Sequence, residues 1–282
     1  MGGNFIATGS TLVFGVMTHA LRLLLPATLL LLAFPVHAQP TTRKAPTQPR
    51  QTQGTWYGHA AWVIQTPGGA RIAIDPWFSN PKAPKGLQPP RQLDAILISH
   101  GHSDHVGDAV ALAKRTGAPI YGAPELVGLL SAGKQDVSGN IGGSWRVKDA
   151  TIHMVEAVHS SSHGDNPARY AGPAMGYVIA IDNGPTIYHA GDTGVFASME
   201  TVIGRLLKPT VALLPIGGHY TMDPTAAAHA TRMLGVKTVV PMHYGTFPLL
   251  KGTPQQFQAE LKKHGGRARM LTAKPGDTLT FD

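Results

Sequence analysis

Short apolar or alternating runs, each bounded by Gly, Pro or charged residues, recur from residue 55 to the end of the 282-residue chain. Runs of this length predict strands over 55–65, 71–74, 95–98, 152–158, 176–181, 186–188, 211–214, 238–240 and 278–281. Between them the apolar positions switch to helical spacing, which predicts helices over 108–116, 124–132, 195–207, 224–234 and 254–264. Asp223-Pro224 and Thr253-Pro254 are helix starts, each an N-cap side chain followed by a Pro whose missing N–H costs nothing at the first helical position. Strands come first without helices and then alternate with them. Two layered sheets flanked by helices satisfy that order, as does an open three-layer sheet.

The first 54 residues follow a different pattern. They hold no Asp or Glu, and 23–36 is apolar for about a dozen positions, after Arg22 and before Val36-His37-Ala38. A cationic start, an apolar middle and small residues at minus three and minus one are the order of a secretory signal, cleaved after Ala38. The run falls short of the roughly 20 apolar residues a membrane span needs, and Pro26 and Pro35 interrupt it. Residues 1–38 are therefore expected to be a leader, with Met17 as the expected start of a compact export peptide, and the protein to be periplasmic or secreted without a lasting membrane anchor. Residues 39–54, rich in Pro, Thr and Gln, lack the apolar surface to fold and are expected to be a disordered tether. Residues 55–282 then make one domain, long enough for a large core.

Charge and cysteine narrow the chemistry. Four of the 24 Lys and Arg lie in the leader and tether, leaving 20 cations against 16 anions in the domain, so the net +8 is partly a property of the export segment and weak support for a nucleic-acid partner. There is no Cys, which removes disulfides and thiolate ligands.

What remains for metal binding is His and Asp, and 99–107 concentrates them. His100, His102, Asp104 and His105 form HxHxDH directly after the apolar run 94–99. In an extended loop residues i and i+2 point the same way, so His100 and His102 can share one ion while Asp104 and His105 turn to a second. His159, Asp192 and His243 each stand just past the end of an apolar run, where open sheets place their sites.

Together SHGHSDHVGD, HSSSH, YHAGDTG, LPIGGHYTM and PMHYGTFP resemble the metallo-beta-lactamase fold superfamily, and more narrowly its branch of metal-dependent hydrolases related to the ascorbate-phosphate lactonases. The likeness runs from about Gly58 to Gly276. It implies an α/β fold, a four-layer αββα sandwich with the metals at one edge between two sheets. By position it implies that His100, His102 and His159 hold one ion, that Asp104, His105 and His243 hold the other, and that Asp192 bridges both. Asp75 would support the histidine loop, and His59 and His219 would face the cleft to bind substrate or a developing oxyanion. Asp104, His219 and His59 are thus the candidate catalytic residues, Asp104 doubling as a ligand. Two departures matter: antibiotic-hydrolysing relatives often use a Cys that this chain lacks, and no insertion matches the substrate clamp of RNA-processing relatives.

Two divalent ions, zinc first with manganese, nickel or iron as alternatives, would lower the pKa of a shared water from about 16 towards 7 and polarise a carbonyl or phosphoryl oxygen. The expectation is a hydrolase cleaving an ester, lactone or phosphodiester of a small molecule, with metal-bound hydroxide as nucleophile. An iron-dependent redox protein of the same fold and a non-catalytic periplasmic metal or ligand binder are the alternatives.

Overall fold

The computed structural model describes residues 51–130, 133 and 135–282. The expected leader, and the tether up to residue 50, lie outside the described residues. The run read as one strand over 55–65 is a hairpin, β1 (Thr52–Gly58) and β2 (Ala61–Gln65). Gly58 (φ 99°) and His59 (φ 52°) reverse the chain in the left-handed region. The alternation hid this turn because His59 and Ala60 are buried like the strands they join. The sheet also starts earlier than the pattern suggests. Thr52, Gln53 and Gly54 pair with Phe281, Thr280 and Leu279, so the last three residues of the segment read as a tether belong to the domain.

The chain continues through β3 (Arg71–Ile74) and β4 (Ala95–Leu97) to two short helices, α1 (Ser103–Val106) and α2 (Ala109–Thr116). Then come β5 (Ile120–Gly122), α3 (Pro124–Leu130) and β6 (Val137–Ser138). β7 (Ser144–Val147) and β8 (Ala150–Glu156) precede a small hairpin, β9 (Ser162–His163) and β10 (Arg169–Tyr170). After β11 (Met175–Ile181) and β12 (Thr186–His189), a π-helix (Met199–Leu207), β13 (Val211–Pro215), α4 (Pro224–Leu234), β14 (Thr238–Met242), α5 (Pro254–His264), β15 (Arg269–Met270) and β16 (Thr278–Phe281) complete the chain.

Two seven-stranded sheets result, ordered β16-β1-β2-β3-β4-β5-β6 and β15-β14-β13-β12-β11-β8-β7. The first is antiparallel up to β3 and parallel from β3 to β6; the second is parallel from β15 to β12 and antiparallel beyond. One apolar core joins the inner faces of the sheets to α2 and α3, through Trp62, Ile96, Leu112, Leu126 and Ile179 among others. A second fills the outer face of the second sheet beneath the π-helix, α4 and α5, with Tyr188, Ile203, Leu234 and Phe257. This is the four-layer αββα arrangement.

The two Pro-marked helices form where expected. Asp223 Oδ1 accepts from Ala226 N (2.8 Å), and Thr253 and Gln256 close a reciprocal capping box. The helix predicted over 195–207 begins only at Met199 and is wider than an α-helix, with Lys208 N bonding to Ile203 O five residues back. Gly194 N donates to Val158 O, so 195–198 belong to the loop leaving β12.

Candidate metal centre

β1, β3, β4, β8, β12, β13 and β14 all point their C-terminal ends to one edge of the sandwich, and the chemistry collects there. Seven non-glycine residues among those described have positive φ, and four are His59, Asp75, His219 and His243. Such backbone costs on the order of 1–3 kcal/mol each and persists where the surrounding structure holds it, typically at functional sites.

Asp75, at the end of β3, is fully buried. Its Oδ1 accepts from Ser99 N (2.7 Å), and its Oδ2 from Ser99 Oγ (2.7 Å) and His105 Nδ1 (2.8 Å). Ser99 Oγ also lies 3.0 Å from His100 Nδ1 and can accept its proton. Both imidazoles therefore carry a proton on Nδ1 towards the support, which makes Nε2 the atom of each that faces the centre and ligates. Gly191 brings the Asp192 loop against this support, since a Cβ there would sit 2.8 Å from Ser99 Cβ.

Donor atoms of His100, His102 and His159 lie within 4.8 Å of one another, as do those of His100, His105 and Asp192, and those of His59, Asp104, His105 and His243. His100 Nε2 is 2.9 Å from His102 Nδ1, and His159 Nε2 is 3.6 Å from Asp192 Oδ2. His105 Nε2 and His243 Nε2 lie 3.3 and 3.0 Å from Asp192 Oδ1, but neither is aligned for a hydrogen bond. These three atoms and His243 Nδ1 are buried without hydrogen-bond partners. Buried polar atoms are rarely left so, and a cation between the two Nε2 atoms and Asp192 Oδ1 would satisfy those three together. The residues fit a metal.

Burial pushes His100, His102 and His159 towards the neutral form that ligates. Burial alone would do the same to His105, but Asp192 and Asp75 on either side lift it well above the usual histidine range. Burial raises the Asp192 carboxyl, and His105 and His243 outweigh it, holding the group well below the usual carboxylate range.

His59 departs from the sequence reading. It lines a cavity of about 340 Å³ with Lys82, Tyr244 and Lys274, but it is 1% exposed, its ring is packed 3.8 Å from that of His243, and both of its nitrogens are engaged. Nδ1 is 2.9 Å from Thr246 Oγ1 and Nε2 is 3.1 Å from Asp104 Oδ2. Burial, helped by His243, lowers its pKa to about 4, so the neutral ring donates from Nε2 to Asp104 and accepts from Thr246. Burial raises the Asp104 carboxyl, but His59 and His105 reverse the shift and keep it ionised. His59 therefore positions Asp104. His189, given no role by sequence reasoning, is a buried clamp: Nε2 donates to Ala60 O (2.9 Å) and Nδ1 accepts from Gly191 N (3.2 Å), tying the His59 turn to the Asp192 loop. Only its place beside Gly191 and Asp192 hinted at this.

His219 stands apart from the donor cluster. It is exposed, stacked edge-on against Tyr220 (4.4 Å), and it lines an open cavity of about 570 Å³ with Asp223, Lys251 and Glu260. Met222 N bonds to Thr193 O (3.1 Å), which fixes this loop beside the Asp192 turn. His163 Nδ1 reaches Gly101 O (3.1 Å), between His100 and His102.

Residues 70–244 match the family described as the beta-lactamase superfamily domain. A UPF0173 metal-dependent hydrolase of Myxococcus xanthus (strain DK1622) is 58% identical over 235 residues, 82% of this chain and 84% of its own. One from Koribacter versatilis (strain Ellin345) is 44% identical over 228 residues, 79% of this chain and 96% of its own. Among solved structures, Igni18, a metallo hydrolase from the archaeon Ignicoccus hospitalis KIN4/I, superposes with a TM-score of 0.73 at 40% identity, covering 82% of this chain and 99% of its own. With its two sheets and His/Asp centre, the chain belongs to the metallo-beta-lactamase superfamily and is one of its metal-dependent hydrolases.

Proposed function

We propose that the centre is dinuclear and cleaves an ester, lactone or phosphodiester of a small molecule. In this reading His100, His102 and His159 hold one ion, Asp104, His105 and His243 hold the other, and Asp192 lies between them. The observation that carries it is the set of buried, unpartnered donors on His105, His243 and Asp192, adjoining a second cluster of three histidines. Zinc suits an all-His/Asp set without a redox requirement. Bound divalent ions would supply an acidified water and a Lewis acid for the substrate oxygen.

The chain's own residues do the rest. Asp75 and Ser99 hold His105 and His100 in the ligating tautomer, and the Thr246–His59 pair orients Asp104 and keeps it unprotonated. His219, exposed on the loop that Met222 N ties to Thr193 O beside Asp192, would donate a proton to the leaving group or bind the developing oxyanion. Export through the 1–38 leader would put this activity in the periplasm or outside the cell. The test is metal analysis of protein made without added zinc, together with an esterase, lactonase and phosphodiesterase screen with EDTA controls. Two zinc per chain and EDTA-sensitive turnover are expected. A strict iron requirement with no hydrolysis would overturn it.

A further inference from the structure

An apolar groove of about 410 Å³ opens on the outer face of the second sheet, between β8, the loop before β7 and the π-helix. Ile141, Val155, Phe196, Val202 and Leu206 form its walls, and Leu206 is 72% exposed. An enclosure of this size and character is in the range of small-molecule sites. Its position relative to the metal centre gives it meaning. Val155 lies at the end of β8, four residues before His159, and Phe196 lies four residues after Asp192. The two segments are tied together by Val158 N to Thr193 Oγ1 (3.0 Å) and Gly194 N to Val158 O (3.1 Å). Along the chain between the ligands and the groove stand Val158 and Val195, 50% and 40% exposed, so both segments that lead from the groove to the centre carry exposed apolar side chains.

The one acidic side chain lining the groove is Glu156, the last residue of β8, which accepts a hydrogen bond from Ser198 Oγ. A carboxylate there disfavours an anionic tail and leaves room for a neutral one.

We propose that this groove receives the apolar, uncharged arm of the substrate whose scissile group sits at the metal centre, making the substrate class a medium- to long-chain acyl ester or lactone. This rests on the hydrolase reading above. Four residues of extended backbone span at most about 13 Å and contain a dozen bonds, so an alkyl arm of roughly ten to twelve carbons covers the same distance. Acetyl and butyryl groups would not reach. Each methylene that enters the groove contributes up to roughly fourfold in kcat/KM.

The test uses the metal-loaded protein and neutral p-nitrophenyl esters from two to twelve acyl carbons, with binding of the uncharged fluorophore N-phenyl-1-naphthylamine as a readout independent of turnover. The expected result is a kcat/KM that is flat for short chains and rises at least tenfold between eight and twelve carbons. Val202→Arg, on the π-helix, and Ile141→Arg, on the opposite wall, should each remove the rise and the fluorophore binding. Metal content and hydrolysis of the acetyl ester should stay at wild-type values; using both variants guards against one that folds poorly. A flat series in the wild type, or fluorophore binding that neither Arg variant weakens, overturns the proposal while leaving the hydrolase reading intact. Dimerisation of the wild type that Val202→Arg abolishes would make a second copy the occupant and overturn it too. Failure to hydrolyse any ester or lactone of any length overturns this proposal, and the hydrolase reading falls with it only if the phosphodiesters of the screen are left intact as well.

Discussion

Asp75→Asn separates what holds a metal from what sets the protonation of its ligands. Asn fits the left-handed backbone at φ 44° and the volume of the fully buried carboxyl, so the change is confined to hydrogen bonding. Ser99 N can only donate, so the Asn carbonyl must take the place of Oδ1 and the amide that of Oδ2. The amide then faces Ser99 Oγ and His105 Nδ1, both of which donate to Asp75 in the wild type. Ser99 can turn its hydroxyl, but a His105 that accepts from this amide must keep its remaining proton on Nε2, the atom aimed at Asp192 and needed by the metal. A ligand locked in the wrong tautomer lowers metal affinity roughly 10–100-fold, about 1.4–2.7 kcal/mol. Losing one charge-assisted hydrogen bond also costs the metal-free fold about 1.5–3 kcal/mol, which lowers its melting temperature by roughly 3–12 °C for a domain of this size. Competition with a chromophoric chelator reads the affinity, and scanning fluorimetry in EDTA reads the fold. Zinc affinity within twofold of wild type, in a variant whose EDTA melting point has fallen as expected, would refute the tautomer argument while confirming that Asp75 is structural.

Four further outcomes follow from the same geometry. Asp192→Asn should cut metal content below the proposed two per chain and make the melting temperature insensitive to EDTA, whereas EDTA should lower that of the wild type; equal responses would contradict a bridging Asp192. The metal-free fold raises His105 well above its ordinary pKa while His100, His102 and His159 stay neutral, so metal binding at pH 7 should release the His105 proton and tighten as pH rises above the ordinary histidine value. Calorimetry in two buffers of different ionisation enthalpy measures that release, and binding without it would exclude a protonated His105. His219→Ala should keep metal content and melting temperature while lowering kcat by roughly 10² or more on any substrate found; loss of an ion, or an unchanged rate, would remove it from catalysis. N-terminal sequencing of protein from a periplasmic fraction should begin at Gln39, and intact Met1 in the cytosol would end the export proposal.

The candidate donors that the fold gathers were legible because each sits beside a local signal. HxHxDH spans six positions after an apolar run, and His159, Asp192 and His243 each follow a strand that its own pattern marks. Strands buried on both faces, such as β13 and β14, read as unbroken apolar runs and were easy to place. The short elements β5, β6, β7, β9, β10 and β15, and the single turn α1, carry too few residues for a period to register. The π-helix lay beyond any pattern, because it depends on packing against another element: a Cβ at Gly204 would stand 2.7 Å from Met233 O of α4.

The support around the ligands is a different case, because its signals are long-range. Asp75 reaches Ser99 across 24 residues and His105 across 30, and His59 reaches Asp104 across 45 and Thr246 across 187. Neither His59 nor Asp75 has a neighbour in sequence that betrays its partner, and both sit in left-handed turns that look like ordinary loops until the two sheets close over them. Yet these residues decide which nitrogen of His105 carries the proton and whether Asp104 is ionised. Local sequence thus specifies which atoms can bind, while the packing of β1 and β3 at the same edge as β14 specifies the protonation state in which they do so. It follows that a relative with the same HxHxDH run but a different residue at position 59, 75 or 246 would differ first in metal affinity and its pH dependence, before any change in the number of ligands.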